Sequence, residues 1–361
     1  MIATGRFLVN THVHAQRHAF KFKERGIKPG FATLAEGMPD VEAYDNSPRL
    51  LYDMERYSVD LCVLMTAFAM TDDVDIEIMK AHQNKFVALA GVTQYMKDVR
   101  AGKIKWSVDG MVAEYDRLLS TGLFVGVGEF IPRDPFLTGC CAIRKKPYSW
   151  EERFEQICKV MEVVRKHKKV MTYHTGTLSG YGGMRSEIGR WLSSHELANP
   201  LLAHDLATEF PDVPIIMEHA GISGWWSDKF IDDTLHVAAA HPNVYLETGH
   251  WWADLYERPL RDPNIGAEKL VWGTDWGASV PQQWLPGFHP ASYPDQSNAQ
   301  GLPAHQVDDF GWSLRQLAIA ANKYDLPQDD LNLILGGNAV RIYNLEDKVP
   351  YKRLFKQYMK Q

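Results

Sequence analysis

Short apolar runs alternate with longer amphipathic stretches along most of the chain, and this alternation predicts its secondary structure. The apolar runs are nearly continuous rather than alternating, which is typical of strands buried on both faces in a parallel sheet. Eight such runs end in or lead into polar residues. The predicted strands are residues 7–14, 59–65, 86–92, 123–130, 170–174, 215–221, 244–248 and 270–275.

Segments with helical spacing lie between these strands and after them. They are residues 48–58, 72–84, 107–121, 150–167, 187–210 with a break near Pro200, 226–240, 311–323 and 328–343. Eight strand–helix units predict an α/β fold of the (β/α)8 TIM-barrel type. A doubly wound open sheet is the alternative. That fold would normally carry a glycine-rich phosphate turn after its first strand, where this chain has His12 and His14.

Two long polar segments interrupt the pattern, at residues 15–46 and 281–306. Both are rich in glycine or proline and too long for tight connections, so we expect functional loops after the first and eighth strands. The two helices after the second loop form a C-terminal extension. Residues 345–361 are predicted to be a short basic amphipathic tail, and we expect residues 1–361 to form one domain.

Composition narrows the class of protein. Hydrophobic residues make up 45% and charged residues 23%, as in a globular enzyme with a sizeable core. The net charge of −6 without a basic cluster argues against nucleic-acid binding, and no apolar run approaches the length of a membrane span. The four cysteines include no CxxC pair. We therefore expect a cytoplasmic protein that keeps its thiols reduced.

The chemistry begins at the end of the first predicted strand. His12 and His14 are two residues apart, so in a strand both rings point to the same face. Imidazole binds zinc, iron and manganese alike. The pair therefore predicts a metal site without identifying the metal.

Other strand ends carry residues of the same kind. Glu129, His174, His219 and Asp275 follow the fourth, fifth, sixth and eighth predicted strands. Barrel enzymes place their catalytic groups at these carboxyl ends, so we expect the four side chains to converge with His12 and His14. A single histidine at a strand end is more often a structural residue than a ligand, and a single carboxylate there is often a helix cap; the six together favour a metal centre.

These residues resemble a known family, the amidohydrolase superfamily, and within it the amidohydrolase-2 branch that includes aminocarboxymuconate semialdehyde and resorcylate decarboxylases. The resemblance covers nearly the whole chain. It implies that His12, His14, His174 and Asp275 bind one metal ion and that His219 is a second-metal ligand or a catalytic acid/base. The matching segments are His12-Val13-His14, His174, Met217-Glu218-His219-Ala220-Gly221, Leu270-Val271-Trp272-Gly273-Thr274-Asp275-Trp276-Gly277 and Gly337-Asn338-Ala339-Val340-Arg341-Ile342-Tyr343.

The chain departs from the family pattern at two positions. Asn10 stands where the family usually has Asp. Glu129 occupies a place where binuclear members have a carboxylate that bridges two ions, so the resemblance favours a binuclear centre. One ion would lie on His12, His14 and Asp275. The other would lie on His174 and His219, with Glu129 between the two ions, and the centre would keep about one positive charge for an anionic substrate.

The leading functional hypothesis is hydrolysis of a small, carboxylate-bearing substrate by a metal-bound water, with Asp275 as general base and then acid. His250, Arg17 and Trp252 are candidate substrate contacts. One alternative is an iron- and manganese-dependent oxygenase similar to 2-aminoisobutyrate hydroxylase, which pairs two related barrel subunits. Another is a decarboxylase with a single metal ion. We expect an assembly of identical subunits or one with a related barrel subunit.

Overall fold

Eight parallel strands form one sheet in the computed structural model, which describes residues 6–20, 41–66, 70–130, 149–175, 199–221, 230–277 and 308–349. Each strand pairs with the next in chain order, as in a barrel. The predicted (β/α)8 TIM barrel is confirmed. Its first to eighth strands are β1 (Val9–Val13), β4 (Leu61–Leu64), β5 (Phe86–Ala90), β6 (Phe124–Phe130), β7 (Val170–His174), β8 (Ile215–Glu218), β9 (Val244–Glu247) and β10 (Leu270–Val271).

Hydrogen bonds between the first and last barrel strands bring the two edges of the sheet together. The Thr11 amide donates to the Trp272 carbonyl at 3.0 Å, and the His14 amide donates to the Trp276 carbonyl at 2.7 Å. Val13 and Trp276 form a parallel bridge. This closure carries the end of β1 to the residues that follow β10, which places the first and last predicted ligands side by side.

Helices cover the outside of the barrel close to their predicted bounds. Helix α5 keeps the predicted start because Ser149 accepts from the Glu152 amide while the Glu152 side chain accepts from the Ser149 amide. The helices are α1 (Ser47–Tyr57), α2 (Asp72–Ala81), α3 (Thr93–Arg100), α4 (Val108–Ser120), α5 (Trp150–Lys166), α6 (Leu202–Glu209), α7 (Ile231–Ala240), α8 (Glu257–Arg261), α9 (Asp309–Lys323), α10 (Gln328–Asn332) and α11 (Asn338–Tyr343).

The first long loop contains regular structure at both of its ends. Strands β2 (Gln16–Phe20) and β3 (Val41–Asp45) pair antiparallel, with Gln16 opposite Asp45 and Phe20 opposite Val41. The sequence prediction of an irregular segment is wrong for these two stretches. Residues 21–40, the second predicted loop at 281–306 and most of the predicted tail lie outside the described residues.

The core has two layers that follow the alternation of side chains along each strand. Leu61, Val63 and Met65 belong to an inner cluster, whereas Cys62 and Leu64 belong to the outer cluster between strands and helices. Residues of α11 and its surroundings complete the inner cluster. The C-terminal extension is therefore part of the barrel core.

The Asn-Ala-x-Arg segment at residues 338–341 supports the eighth barrel strand. The Asn338 side-chain amide donates at 2.7 Å to the carbonyls of Ala267 and Leu270, which fixes the entry into β10. Trp272 extends this link, since its amide donates to the Ile334 carbonyl in a π-helical turn over Leu333–Gly337.

Among the helices that the structure describes, none is both long and apolar enough to cross a membrane.

Candidate metal centre

All six predicted ligands lie at the carboxyl ends of the barrel strands, and all six are buried. They project from five strand ends around the barrel mouth. The six are His12, His14, Glu129, His174, His219 and Asp275.

Three donor atoms form a nearly equilateral triangle. His12 Nε2 and His14 Nε2 are 3.2 Å apart, and Asp275 Oδ1 lies 3.3 Å from the first and 3.1 Å from the second. Ligand atoms about 2.0–2.1 Å from one ion show such separations at angles of roughly 100°. These three side chains can hold one metal ion.

Each of these histidines has a partner on its other ring nitrogen. His14 Nδ1 lies 3.1 Å from the Met65 carbonyl, and His12 Nδ1 lies 3.4 Å from Glu247 Oε2. A carbonyl can only accept, so His14 carries its proton on Nδ1 and leaves the Nε2 lone pair for a ligand. The carboxylate favours the same tautomer for His12.

Glu129 stands between the triangle and the fifth strand. Its Oε2 lies 3.7 Å from His14 Nε2, and its Oε1 lies 3.3 Å from His174 Nε2. His12, Glu129 and His219 each offer a ligand atom within 4.8 Å of the other two. One carboxylate therefore faces histidines on both sides of the mouth.

A third overlapping group lies on the other side of Asp275. His250 Nε2 is 2.7 Å from Asp275 Oδ2, and the His250 ring stacks on His219 with centroids 5.0 Å apart. His219, His250 and Asp275 likewise each offer a ligand atom within 4.8 Å of the other two. His174 is in none of the three groups within the described part of the chain, although its ring centroid is 5.0 Å from that of His219.

The backbone is unusual at this side of the mouth. His219, His250 and Asp275 have φ angles of 57°, 67° and 53°, in the left-handed region that non-glycine residues rarely adopt. Such conformations persist where surrounding contacts impose them, and they cluster at functional sites. Here they turn each side chain inward directly after its strand or turn.

Charge at the mouth is dominated by carboxylates and histidines. Burial alone would raise the pKa of Asp275, but His12 together with hydrogen bonds from His14 and His250 holds it well below its ordinary value. Burial lowers the pKa of His219 to about 3, so its ring is neutral and suited to ligation. Every ion pair that Asp275 forms within the described residues is with a histidine.

The pKa of His12 reflects the negative charge of the carboxylates around it. Burial lowers its pKa, yet Asp275, Glu247 and Glu218 together raise it well above the ordinary value. A proton on His12 thus compensates carboxylates that form no ion pair with a lysine or arginine among the described residues, and a divalent cation would replace that proton. The donor set of imidazoles and carboxylates fits zinc, iron or manganese.

Asn10 has a defined role despite departing from the family pattern. Its side-chain amide donates to Thr274 Oγ1 at 2.7 Å, and its Oδ1 accepts from the His12 backbone amide at 3.1 Å. Asn10 therefore joins the first strand to the end of the eighth beside Asp275. An aspartate could not donate to Thr274 in this way when ionised.

The three predicted substrate contacts have different outcomes. His250 lies in the mouth beside Asp275, with a side chain 10% exposed. Trp252 is partly buried and packs against the outer core cluster. Arg17 is on β2, and its side chain is outside the described part of the structure. Its role stays a prediction, as does that of Trp252.

Glu247 is not among the six predicted ligands; the sequence places it and Glu218 within strands, as candidate partners that contact the ligands, and the structure buries Glu247 fully at the end of β9. Its Oε2 accepts from the His219 backbone amide at 2.9 Å. A glutamate at the end of a predicted strand was the only sequence signal available. The same signal is given by Glu218, whose pKa is raised by burial and then by Glu129 nearby.

A (β/α)8 barrel with this histidine- and carboxylate-rich mouth defines a metal-dependent enzyme class. A family model described as amidohydrolase matches residues 10–345. The chain belongs to this family, the amidohydrolase-2 branch of the amidohydrolase superfamily, as its motifs predict. None of the curated proteins compared with the chain matches it significantly.

Solved structures share the fold at low sequence identity. One is a Lactobacillus casei protein described as a metal-dependent hydrolase, with 13% identity and a TM-score of 0.52 over 82% of this chain and 76% of that chain. Another is 5-carboxyvanillate decarboxylase from Novosphingobium aromaticivorans, complexed with manganese, with 12% identity and a TM-score of 0.50 over 94% of this chain and 96% of that chain. Both likenesses concern the fold alone.

Proposed function

We propose that this enzyme is a hydrolase with a binuclear metal centre that acts on a small, carboxylate-bearing substrate. The observation that carries the proposal is the triangle of His12 Nε2, His14 Nε2 and Asp275 Oδ1, with edges of 3.1–3.3 Å. Zinc, iron and manganese all fit these donors. When bound, such ions would lower the pKa of a water ligand and polarise the scissile carbonyl.

Two ions are proposed because of the position of Glu129. Its two oxygens face His14 and His174 separately, at 3.7 and 3.3 Å. This supports a bridging carboxylate between an ion on His12, His14 and Asp275 and a second ion on His174 and His219. Two divalent ions with Glu129, Asp275 and a hydroxide would leave about one positive charge, and the ionised Glu247 would cancel it. A substrate carboxylate would therefore be held by direct ligation to an ion or by His250.

The chain's own residues supply the proton transfers in this proposal. Asp275 is ionised, and its Oδ2 accepts from His250. It would take the proton of the attacking water and return it to the leaving group. The neutral ring of His219 lies in the same mouth and would bind the second ion or act as an acid/base.

The test begins with elemental analysis of protein purified aerobically from a host supplied with zinc, iron and manganese. Two ions per chain, together with hydrolysis of small carboxylate-bearing esters, amides or lactones, are expected. Asp275→Asn should lose at least one ion and the activity. Unchanged metal content and turnover in Asp275→Asn would overturn the proposal, and so would dioxygen uptake with small amino acids or carbon dioxide release without hydrolysis.

A further inference from the structure

Glu247 links two strand ends that lie apart in the barrel. Its Oε2 accepts from the His219 backbone amide at 2.9 Å and lies 3.4 Å from His12 Nδ1. His12 is on the first barrel strand and His219 follows the sixth. One oxygen of Glu247 thus contacts both residues.

The carboxylate of Glu247 has no freedom to move. Its side chain is completely buried. A Cβ added to Gly273 would lie 1.9 Å from Glu247 Oε1, and one added to Gly249 would lie 2.7 Å from the same atom. Both neighbours are therefore required to be glycine for reasons of space, and they hold the carboxylate against the two histidines.

The His219 backbone needs such an anchor. Its φ of 57° places it in the left-handed region, and Ala220 follows with a φ of 44°. The His219 amide is held by Glu247 at 2.9 Å, and its carbonyl accepts from the Trp251 indole at 3.2 Å. These two bonds stabilise a backbone conformation that is unfavourable for an isolated non-glycine residue.

We infer that Glu247 is a positioning residue for two metal-binding rings at once. It fixes the tautomer of His12 through Nδ1, and it fixes the backbone turn of His219 through the His219 amide. This inference rests on the proposed function, since it assigns Glu247 to the same metal centre. It adds a seventh residue, on the seventh barrel strand, to the six predicted from the sequence. Carboxylates that orient a ligating histidine raise both its basicity and its geometric precision.

The test is a series of Glu247 variants titrated with Zn²⁺ and Co²⁺ against a competing chelator. Glu247→Gln keeps the shape and one oxygen for both contacts, but it removes the negative charge that raises the basicity of His12. We expect metal affinity to fall about 10- to 100-fold, with a changed visible absorption spectrum of the Co²⁺ form. Glu247→Ala should lose more. Glu55→Gln, at an exposed position on α1, is the matched control and should match wild type.

The outcomes separate this inference from the function on which it rests. Wild-type metal affinity and an unchanged Co²⁺ spectrum in both Glu247→Gln and Glu247→Ala, with metal bound to each variant, would overturn the positioning role alone. A wild-type protein that binds neither ion would overturn the proposed function first. A loss of thermal stability in the metal-free Glu247→Gln protein, without any change in affinity or spectrum, would assign Glu247 a purely structural role and also overturn the inference.

Discussion

His250 Nε2 lies 2.7 Å from Asp275 Oδ2, while the other oxygen of Asp275 faces His12 and His14 at 3.3 and 3.1 Å. The two oxygens of this carboxylate thus serve different sides of the mouth. A hydrogen bond from His250 restricts the rotation of the carboxylate and keeps Oδ1 directed at the predicted metal position. His250 contributes an orienting contact from the seventh strand end, just as Glu247 does.

His250→Ala is expected to keep the number of bound ions and to weaken metal affinity about tenfold, because it removes one orienting bond from Asp275. Elemental analysis and chelator competition measure the two quantities separately. His241→Ala is the control, because this partly buried histidine follows α7 and precedes β9, at the opposite end of the strand from Glu247. Loss of one ion per chain in His250→Ala would mean that His250 is itself a ligand, as its group with His219 and Asp275 would permit.

Much of the barrel could be predicted because its strands carry their own signal. The run Val170–His174 is a strand over the predicted residues, and helix Trp150–Lys166 ends one residue before its predicted end. Helix Thr93–Arg100 was missed for a local reason. The residue that precedes it, Val92, has a left-handed φ of 49° and makes no capping hydrogen bond through its side chain, so the sequence shows no start signal.

The site was predictable to the extent that strand ends determine it. The spacing of His12 and His14 fixes their common face, and the barrel brings Asp275 to them. The sequence indicates Glu247 only as a candidate partner of the ligands; its contact with the His219 backbone amide was not predictable, because the position of that amide depends on how β8 and β9 are aligned. Sequence spacing gives which side chains share a face, but it does not give the carboxylate rotamer that packing against Gly273 imposes.

Gly273→Ala tests that packing. The new Cβ would meet Glu247 Oε1 at 1.9 Å, and a fully buried carboxylate has no space to withdraw. We expect a loss of about 1–3 kcal/mol in the free energy of unfolding, measured by urea denaturation of the metal-free protein. Combining it with Glu247→Ala should cost less than the sum of the two single changes, since the clash disappears with the carboxylate. Strict additivity would show that the strain lies elsewhere.

Asp75 provides a pH prediction that is independent of the metal centre. It lies fully buried on α2, where Oδ1 accepts from the Gln16 side chain at 2.8 Å and Oδ2 has no hydrogen-bond partner among the described residues. Burial raises its pKa from the ordinary 3.8 to about 8. The folded chain therefore keeps a proton that the unfolded chain releases above pH 3.8. The contribution of Asp75 to the free energy of unfolding is therefore fully present below pH 3.8. It is lost progressively as the pH rises to about 8, by at most about 1.4 kcal/mol per pH unit.

Asp75→Asn should remove this dependence. The melting temperature of the variant relative to wild type is expected to rise steadily from about pH 4 to about pH 8 and to stay constant above. Thermal unfolding in buffers across that range measures it. Asp73→Asn, at an exposed position on the same helix, is the control and should give a flat difference. A flat difference for Asp75→Asn as well would mean that Asp75 is ionised in the folded protein.

Removal of metal should destabilise the protein without unfolding it, because the barrel core is complete without an ion. Ligation at a free metal concentration 100 times the dissociation constant adds about 2.7 kcal/mol to stability, which for a chain of this size is a few degrees in melting temperature. Chelation should lower the melting temperature by that amount, and separate addition of zinc, manganese or ferrous iron should show which ion restores it. Calcium should not, since it requires six to eight oxygen ligands. His14→Ala, which removes one corner of the donor triangle, should keep only the part of the shift that an ion on His174 and His219 gives, and a shift equal to that of wild type would place the stabilising ion outside the triangle.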